Sequence, residues 1–330
     1  MPTPLTRLLS IPSLSAVKAY EKLTKRGYTS VDQVISTARI APKTLNDFLG
    51  VNFAETIQAA NIGVDFLHEA YAAVQLPKFK LGAILKDVRP YSGKSDLRLE
   101  AQAAALAPKI SLIGQLPPIR DQGGRGTCVA FGTLAAFETN TDDYSEQFVY
   151  AICKQRDGRP NEEGTWLAIS YPVVRDLGVC QEATLPYNPN TIAGNEGQGP
   201  APAGATTEAA KYKRNFTQLP ETSVDSIKSA LASGHVVSFT IPVFDSWYMN
   251  TAVAESGSIV MPIPGEQPSG GHAMAFVGYM DDASAPGGGS FQIRNSWDGH
   301  WATQSTIGVG YGTIPYEYIA QYGKEAYHFV

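Results

Sequence analysis

The pattern of apolar and polar positions changes character twice along the chain. Over the first 80 residues, helical spacing is broken repeatedly by strong stop signals. Ser15 to Lys25 has helix-forming composition and ends at Gly27, and Thr29-Ser30-Val31-Asp32 supplies a fresh N-cap before Val34-Ile35. Pro42-Lys43-Thr44 opens another helix through Phe48-Leu49, closed by Gly50, and Phe53 to Val74, rich in alanine and aromatics, carries one or two more. From Pro77 to Pro108 the periodicity fades into a Lys-, Asp- and Gly-rich stretch with an alanine-rich piece at 98–107, which reads as a linker holding one short helix. Beyond Ile110, helical patterning dominates Cys128–Leu177. After residue 230, β-like runs take over at Val236–Ile241, Ser258–Met261, Ala273–Tyr279 and Ser290–Arg294. Helices followed by antiparallel strands predict an α+β fold. The expected division is a small all-α domain at 1–80, a linker at 81–110 and the main domain at 111–330.

Composition narrows the function classes. A chain of 330 residues is long enough for two cores, and 43% apolar with 17% charged residues is ordinary for a globular protein. A net charge of −5 lacks the basic surplus of nucleic-acid binders. Residues 1–50 do carry seven Lys/Arg against three Asp/Glu. Their pattern resembles a helix-hairpin-helix-type module, but the hairpin glycines that contact a phosphate backbone are absent. Nucleic acid is therefore disfavoured, and residues 1–80 are read as a surface for a protein partner. No apolar run approaches the ~18–20 residues needed to span a bilayer. Arg7 before Leu8-Leu9-Ser10-Ile11-Pro12 has the outline of a signal peptide. The run is short, however, contains a proline, and leads into the charged stretch Lys18–Arg26 without a small-residue cleavage site. The expectation is a cytoplasmic protein, or one exported by a non-classical route.

The three cysteines, Cys128, Cys153 and Cys180, stand at wide spacings with no CxxC pair, so neither a disulfide framework nor a zinc or other metal site is indicated. Cys153 and Cys180 either pair or are buried thiols. Cys128 is different. It follows the glycine-rich loop Asp121-Gln122-Gly123-Gly124-Arg125-Gly126-Thr127 and starts an apolar, helix-forming run. Unpaired N–H groups and the macrodipole at a helix start favour thiolate over thiol. Gln122, six residues upstream on the same loop, places an amide beside that nucleophile.

Gln122 with Gly126-Thr127-Cys128-Val129-Ala130-Phe131, then Gly271-His272-Ala273, then Asn295-Ser296-Trp297, resembles the papain-like cysteine peptidase family. Ser145-Glu146-Gln147, Leu185-Pro186-Tyr187 and the run from Ser223 to Ile241 resemble its intermediate landmarks. His272 lies 144 residues after Cys128, within the roughly 130–150 of this family. The resemblance covers about residues 112–330 and implies a two-lobed fold, one lobe helical and the other an antiparallel β-barrel-like lobe. It also implies a catalytic Cys128, His272 and Asn295, no cofactor, and a protein or peptide substrate. Gln122 and the Cys128 N–H would form the oxyanion hole, and Trp297 would screen the His272–Asn295 hydrogen bond. Asn161–Gly164-Thr165 falls where the family has a glycine-rich strip that hydrogen-bonds substrate backbone, with Gly164 its best match. Two departures stand out: Val129 replaces the aromatic residue commonly found after the nucleophile. Arg125 stands where most secreted members have a cysteine paired across the helical half.

Each of these residues alone also fits a bland role: Cys128 and Trp297 as packing, His272 as a core histidine, Gln122 as a turn cap. Together, in family order, they point to a cysteine peptidase working through an acyl-enzyme thioester. Two alternatives stay open: a thioester-forming transferase or isopeptidase, and a catalytically idle peptide-binding module. The N-terminal 110 residues read either as a targeting or regulatory domain or as a removable inhibitory segment, with 86–108 crossing the cleft in the second case.

Overall fold

The computed structural model describes residues 3–11, 14–53, 55–56, 79–85 and 106–330. Most of the helix expected within 53–74, and the alanine-rich helix at 98–107 almost entirely, lie outside these residues. Among the described residues, the N-terminal region holds a 3-10 helix at Leu5–Ser10 and the helices α1 (Leu14–Thr24), α2 (Val31–Ile40) and α3 (Pro42–Leu49). The expected cap before Val34 is Ser30, which forms a reciprocal capping box with Gln33, while Gly50 closes α3 in the left-handed conformation.

This helical region does not stand apart. Leu23, Val31 and Leu45 share one apolar core with Phe239, Ile241 and Trp247 of the C-terminal sheet lobe. The seam is also hydrogen-bonded. Asn250 Nδ2 donates to the Gln33 carbonyl (2.9 Å) and Thr37 Oγ1 (3.1 Å), and the Met261 N–H donates to the Arg26 carbonyl (2.9 Å).

The main body has two lobes. The first is built on α4 (Cys128–Phe137), α5 (Glu146–Arg156) and α6 (Leu167–Asp176), followed by the short α7 (Ala203–Ala209). Nine of the ten residues of α4 are buried, as its apolar sequence on all sides requires of a central helix. Ser145 caps α5 by accepting from the Phe148 N–H. The second lobe adds α8 (Val224–Ala232), α9 (Asp245–Tyr248), α10 (Thr251–Ser256) and α11 (Tyr316–Tyr322) to an antiparallel sheet.

That sheet contains β1 (Lys109–Ser111), β2 (Phe216–Gln218), β3 (Val237–Phe244), β4 (Pro268–Asp281), β5 (Gly289–Arg294), β6 (Tyr311–Pro315) and β7 (Glu325–Phe329). Their order is β2-β7-β3-β4-β5-β6, with β1 added on β4. Of the expected strands, Val236–Ile241, Ala273–Tyr279 and Ser290–Arg294 fall on β3, β4 and β5. Ser258–Met261 does not form a strand. Ile259, Val260 and Met261 are buried, but the segment makes only a single bridge, from Ser258 to Thr313. Its apolar run reflects burial in the shared core between β6 and the N-terminal region rather than ladder pairing. Cys153 and Cys180 are unpaired, buried thiols, as is Cys128.

Candidate active site

The seam between the lobes gathers the residues singled out above. Cys128 is the first residue of α4 and is fully buried. Its N-cap, Thr127, makes no side-chain cap, and its carbonyl takes the Ala130 N–H (2.9 Å), so the Cys128 and Val129 N–H groups are left for other partners. His272 lies on β4 opposite Ile241 of β3. The β4–β5 ladder pairs Ala275 with Arg294, and carrying that register past the strand end brings Asn295 and Trp297 alongside His272.

The geometry defines the imidazole. His272 Nε2 lies 2.8 Å from Asn295 Oδ1, and the Ser296 N–H also donates to that oxygen (2.8 Å). Oδ1 is thus the acceptor and Nε2 carries the proton, while His272 Nδ1 is buried with no hydrogen-bond partner. Trp297 stacks on the imidazole with centroids 4.5 Å apart. Gln122 is held from three sides. Its Oε1 accepts from Ser296 Oγ (2.6 Å), its Nε2 donates to the Arg125 carbonyl (2.9 Å), and its backbone N–H donates to the Ser296 carbonyl (2.9 Å).

A strap formed by Phe79–Leu85 runs through the same seam. On the sheet side, the Gly82 and Ala83 N–H groups both donate to the Gly271 carbonyl (3.1 Å each). On the helical side, the Thr165 N–H donates to the Gly82 carbonyl (3.1 Å) and the Ile84 N–H to the Thr165 carbonyl (2.9 Å), a parallel bridge. Phe79 stacks on Trp297 at 4.4 Å, and Trp297 Nε1 donates to the Lys80 carbonyl (3.1 Å). The slot admits bare backbone only. A Cβ on Gly82 would lie 2.1 Å from the Gly126 oxygen, one on Gly271 2.1 Å from the Ala83 oxygen, and one on Gly164 2.5 Å from the Gly82 oxygen. Cleft crossing was anticipated within 86–108. The described crossing is 79–85, and 86–105 lie outside the described residues.

Residues 111–321 match the papain family cysteine protease model. The chain belongs to that family. An uncharacterised peptidase C1-like protein of Acanthamoeba polyphaga mimivirus is 28% identical over 256 residues, 73% of this chain and 75% of that protein. Cysteine proteinase 1 of Entamoeba histolytica is 24% identical, covering 69% of this chain and 70% of its own. Xylellain, a cysteine protease from Xylella fastidiosa, superposes with a TM-score of 0.59 at 25% identity, over 77% of this chain and 97% of its own. The fold of procathepsin L 3 from Tenebrio molitor larval midgut matches 96% of this chain and 99% of its own, with a TM-score of 0.54 at 18% identity.

In this papain-family protein burial dominates the protonation state of the pair. Burial pushes the Cys128 thiol up to about 12, against the pull of the Ala273, Val129 and Ala83 N–H groups. Burial likewise pulls His272 down to about 4, although its bond to Asn295 acts the other way. Burial therefore opposes the expected thiolate in this state. A helix start contributes up to about 2 kcal/mol, whereas a rise from 9.0 to about 12 corresponds to about 4 kcal/mol against the anion. Desolvation wins, and both groups are uncharged under the strap.

Gly164 touches the strap through its bare α-carbon. Its own N–H donates to Tyr150 Oη (3.0 Å) and its carbonyl accepts from the buried Lys154 Nζ (2.8 Å). The backbone ladder belongs to its neighbour Thr165, which lies in the same 161–165 stretch but was not singled out. Ser296 was also passed over, though its place between Asn295 and Trp297 was a usable signal. Among the described residues, no group of three or more His, Cys, Asp or Glu is placed to hold a metal ion. No helix among them is long and apolar enough to cross a membrane.

Proposed function

We propose that this protein hydrolyses peptide bonds through Cys128, His272 and Asn295, and that residues 79–85 keep the site idle until they are displaced. The observation that carries the reading is the His272–Asn295 hydrogen bond. It fixes the proton on Nε2 and leaves Nδ1 as the only imidazole nitrogen able to take a proton, in a seam shared with a buried cysteine.

With the strap out, water re-enters and the thiol proton moves to Nδ1, giving thiolate and imidazolium. Sulfur attacks the substrate carbonyl carbon, and the oxyanion that forms is met by the free Gln122 Nε2 proton and the Cys128 N–H. The Nδ1 proton then passes to the departing amine as the C–N bond breaks, leaving a thioester on Cys128. Water, deprotonated by Nδ1, adds to the thioester; the acid leaves and sulfur takes the proton back. Asn295 holds the ring in line throughout, and Trp297 keeps water from the Nε2–Oδ1 bond.

Support for the idle state comes from the strap's use of the glycine-lined slot and from the uncharged state that burial favours for Cys128 and His272. The test is acid-quench mass spectrometry of the full-length chain carrying Gly82→Val during turnover of a peptide ester. The expected result is an acyl adduct on Cys128 that Cys128→Ala lacks, together with peptide hydrolysis. Hydrolysis that persists in Cys128→Ala would overturn the assignment, as would a folded Gly82→Val chain with neither adduct nor hydrolysis.

A further inference from the structure

Arg125 is a fully buried cation three residues before the nucleophile, and its partners are carbonyl oxygens and aromatic rings rather than a carboxylate. Nη1 donates to Gln147 Oε1 and to the Asn188 carbonyl (both 2.8 Å), and Nη2 donates to the Glu196 carbonyl (2.7 Å). The guanidinium also lies over the rings of Tyr150 and Tyr187, at 5.3 and 5.4 Å. One side chain thus ties the loop before α4 to α5 and to two separate points of the 188–198 loop. Burying a charge without an opposite charge is costly, so the position is not filled for packing alone.

The same residue's backbone touches the chemistry. The Arg125 carbonyl accepts from Gln122 Nε2 (2.9 Å) and from the Thr127 N–H (2.9 Å). The Gln122 amide plane therefore has two anchors: Ser296 Oγ on its oxygen and the Arg125 carbonyl on its nitrogen. Only with both in place does the second Nε2 proton keep a fixed direction. Tyr187 supports the arrangement by donating to the Gln122 carbonyl (2.7 Å) and contacting Thr127 Oγ1 (2.7 Å).

We propose that Arg125 is a positioning residue for oxyanion stabilisation. Its guanidinium fork performs the cross-linking that a disulfide gives to most secreted relatives, and its carbonyl aims the Gln122 amide. The inference rests on the proposed role of Gln122. It predicts a site held in shape by hydrogen bonds, without a disulfide at this loop. A lysine cannot reproduce the fork, because a point donor cannot reach three separated acceptors in one plane.

The test compares two reactions of Cys128 in full-length Gly82→Val chains. Amide hydrolysis builds an oxyanion, whereas alkylation by iodoacetamide displaces iodide at a saturated carbon and builds none. Arg125→Lys is expected to lower kcat for hydrolysis by at least about tenfold, bounded by the roughly 10²–10³ of a lost oxyanion donor, with KM and the alkylation rate within about twofold. Both rates falling together would make Arg125 merely structural, and neither falling would also overturn the proposal. Gln122→Ala must show the same split. If it does not, the oxyanion reading fails; if it alone does, the Arg125 proposal fails.

A crystal structure of Arg125→Lys with the strap intact gives a second readout, independent of activity. Gln122 Nε2 should leave hydrogen-bond reach of the residue 125 carbonyl, and an unmoved amide would refute the proposal. Should Arg125→Lys fail to fold, Gln147→Ala removes one acceptor of the fork. It should give a smaller split of the same sign, and no split would count against the proposal.

Discussion

Substituting Gly82 by valine isolates what the strap does. Gly82 is not among the left-handed glycines, so a β-carbon is penalised by contact alone. That contact is severe: the added atom would lie 2.1, 2.3 and 2.6 Å from the oxygen, carbonyl carbon and α-carbon of Gly126. All three are backbone atoms two residues before Cys128, hemmed in by Arg125 and Thr127, and they cannot rotate away. Overpacking of this kind costs about 1–3 kcal/mol or more, which lowers the closed-to-open ratio by about 5–150-fold. The assay is the rate of Cys128 alkylation by iodoacetamide in the full-length chain near pH 7.5, with circular dichroism to confirm the fold. Wild-type protein should react slowly, because Cys128 is both covered and protonated under the strap. Gly82→Val should react about 5–150-fold faster and gain peptide hydrolysis in step. Lys80→Ala serves as the control. It removes only a half-exposed ion pair with Glu163 (3.2 Å), and should change the rate little. An unchanged alkylation rate in folded Gly82→Val would refute the strap as the barrier.

Acid should loosen the strapped state. His272 has its folded pKa depressed from 6.5 to about 4, so its contribution is complete above about 6.5 and is lost as the pH falls toward 4, by up to about 3 kcal/mol. Calorimetry should show the thermal midpoint dropping across that window, with a flatter acid limb in His272→Gln; a limb equally steep in the variant would refute the assignment. Asn295→Ala should lower turnover without abolishing it, because orientation rather than nucleophilicity is lost, and turnover as dead as in Cys128→Ala would show that role understated. A protease site placed within residues 86–105 and cut should leave the N-terminal helices bound through the seam at Asn250, Gln33 and Met261. Size-exclusion chromatography should then show both fragments co-eluting, whereas separation would refute the shared core.

The candidate-site residues that sit in their own local motifs were legible in the sequence as a group that the fold brings together. Cys128 after its glycine loop, His272 between Gly271 and Ala273, and Asn295 before Ser296-Trp297 all meet at the seam. Gln122 joins them through Ser296. What stayed hidden depends on partners rather than on pattern. The apolar faces of α1–α3 announce that they are buried but not against what, so a helical region sharing its core with the sheet lobe was read as a separate domain. Residues 79–85 are ordinary in composition because their docking is backbone to backbone, through Gly271 and Thr165. Strand pairing is equally silent for short, mixed segments such as Tyr311–Pro315 and Glu325–Phe329, which went unread. Ser258–Met261, apolar over its last three residues, was read as a strand for the same reason in reverse.

On the proposed function, the slot that admits a substrate backbone is also what makes the strap effective. Gly126, Gly164 and Gly271 leave room for a peptide chain to pass against the site, and the strap occupies that room with a glycine of its own at the tightest point. On the proposed mechanism, catalysis needs the thiolate and imidazolium that burial forbids. Strap binding and charge separation are therefore linked functions of one equilibrium, and linkage makes the coupling reciprocal. If the strap disfavours the ion pair, ion-pair formation must expel the strap by the same factor. A change that favours charge on His272 or Cys128 should then open the cleft without touching residues 79–85. Gly82→Val and acid therefore push the same equilibrium from opposite ends. Their effects on alkylation of Cys128 should saturate at one common open-state rate rather than multiply, once both rates are corrected for the thiolate fraction of the open state at each pH. Two different plateaus after that correction would mean that the strap and the protonation state act separately.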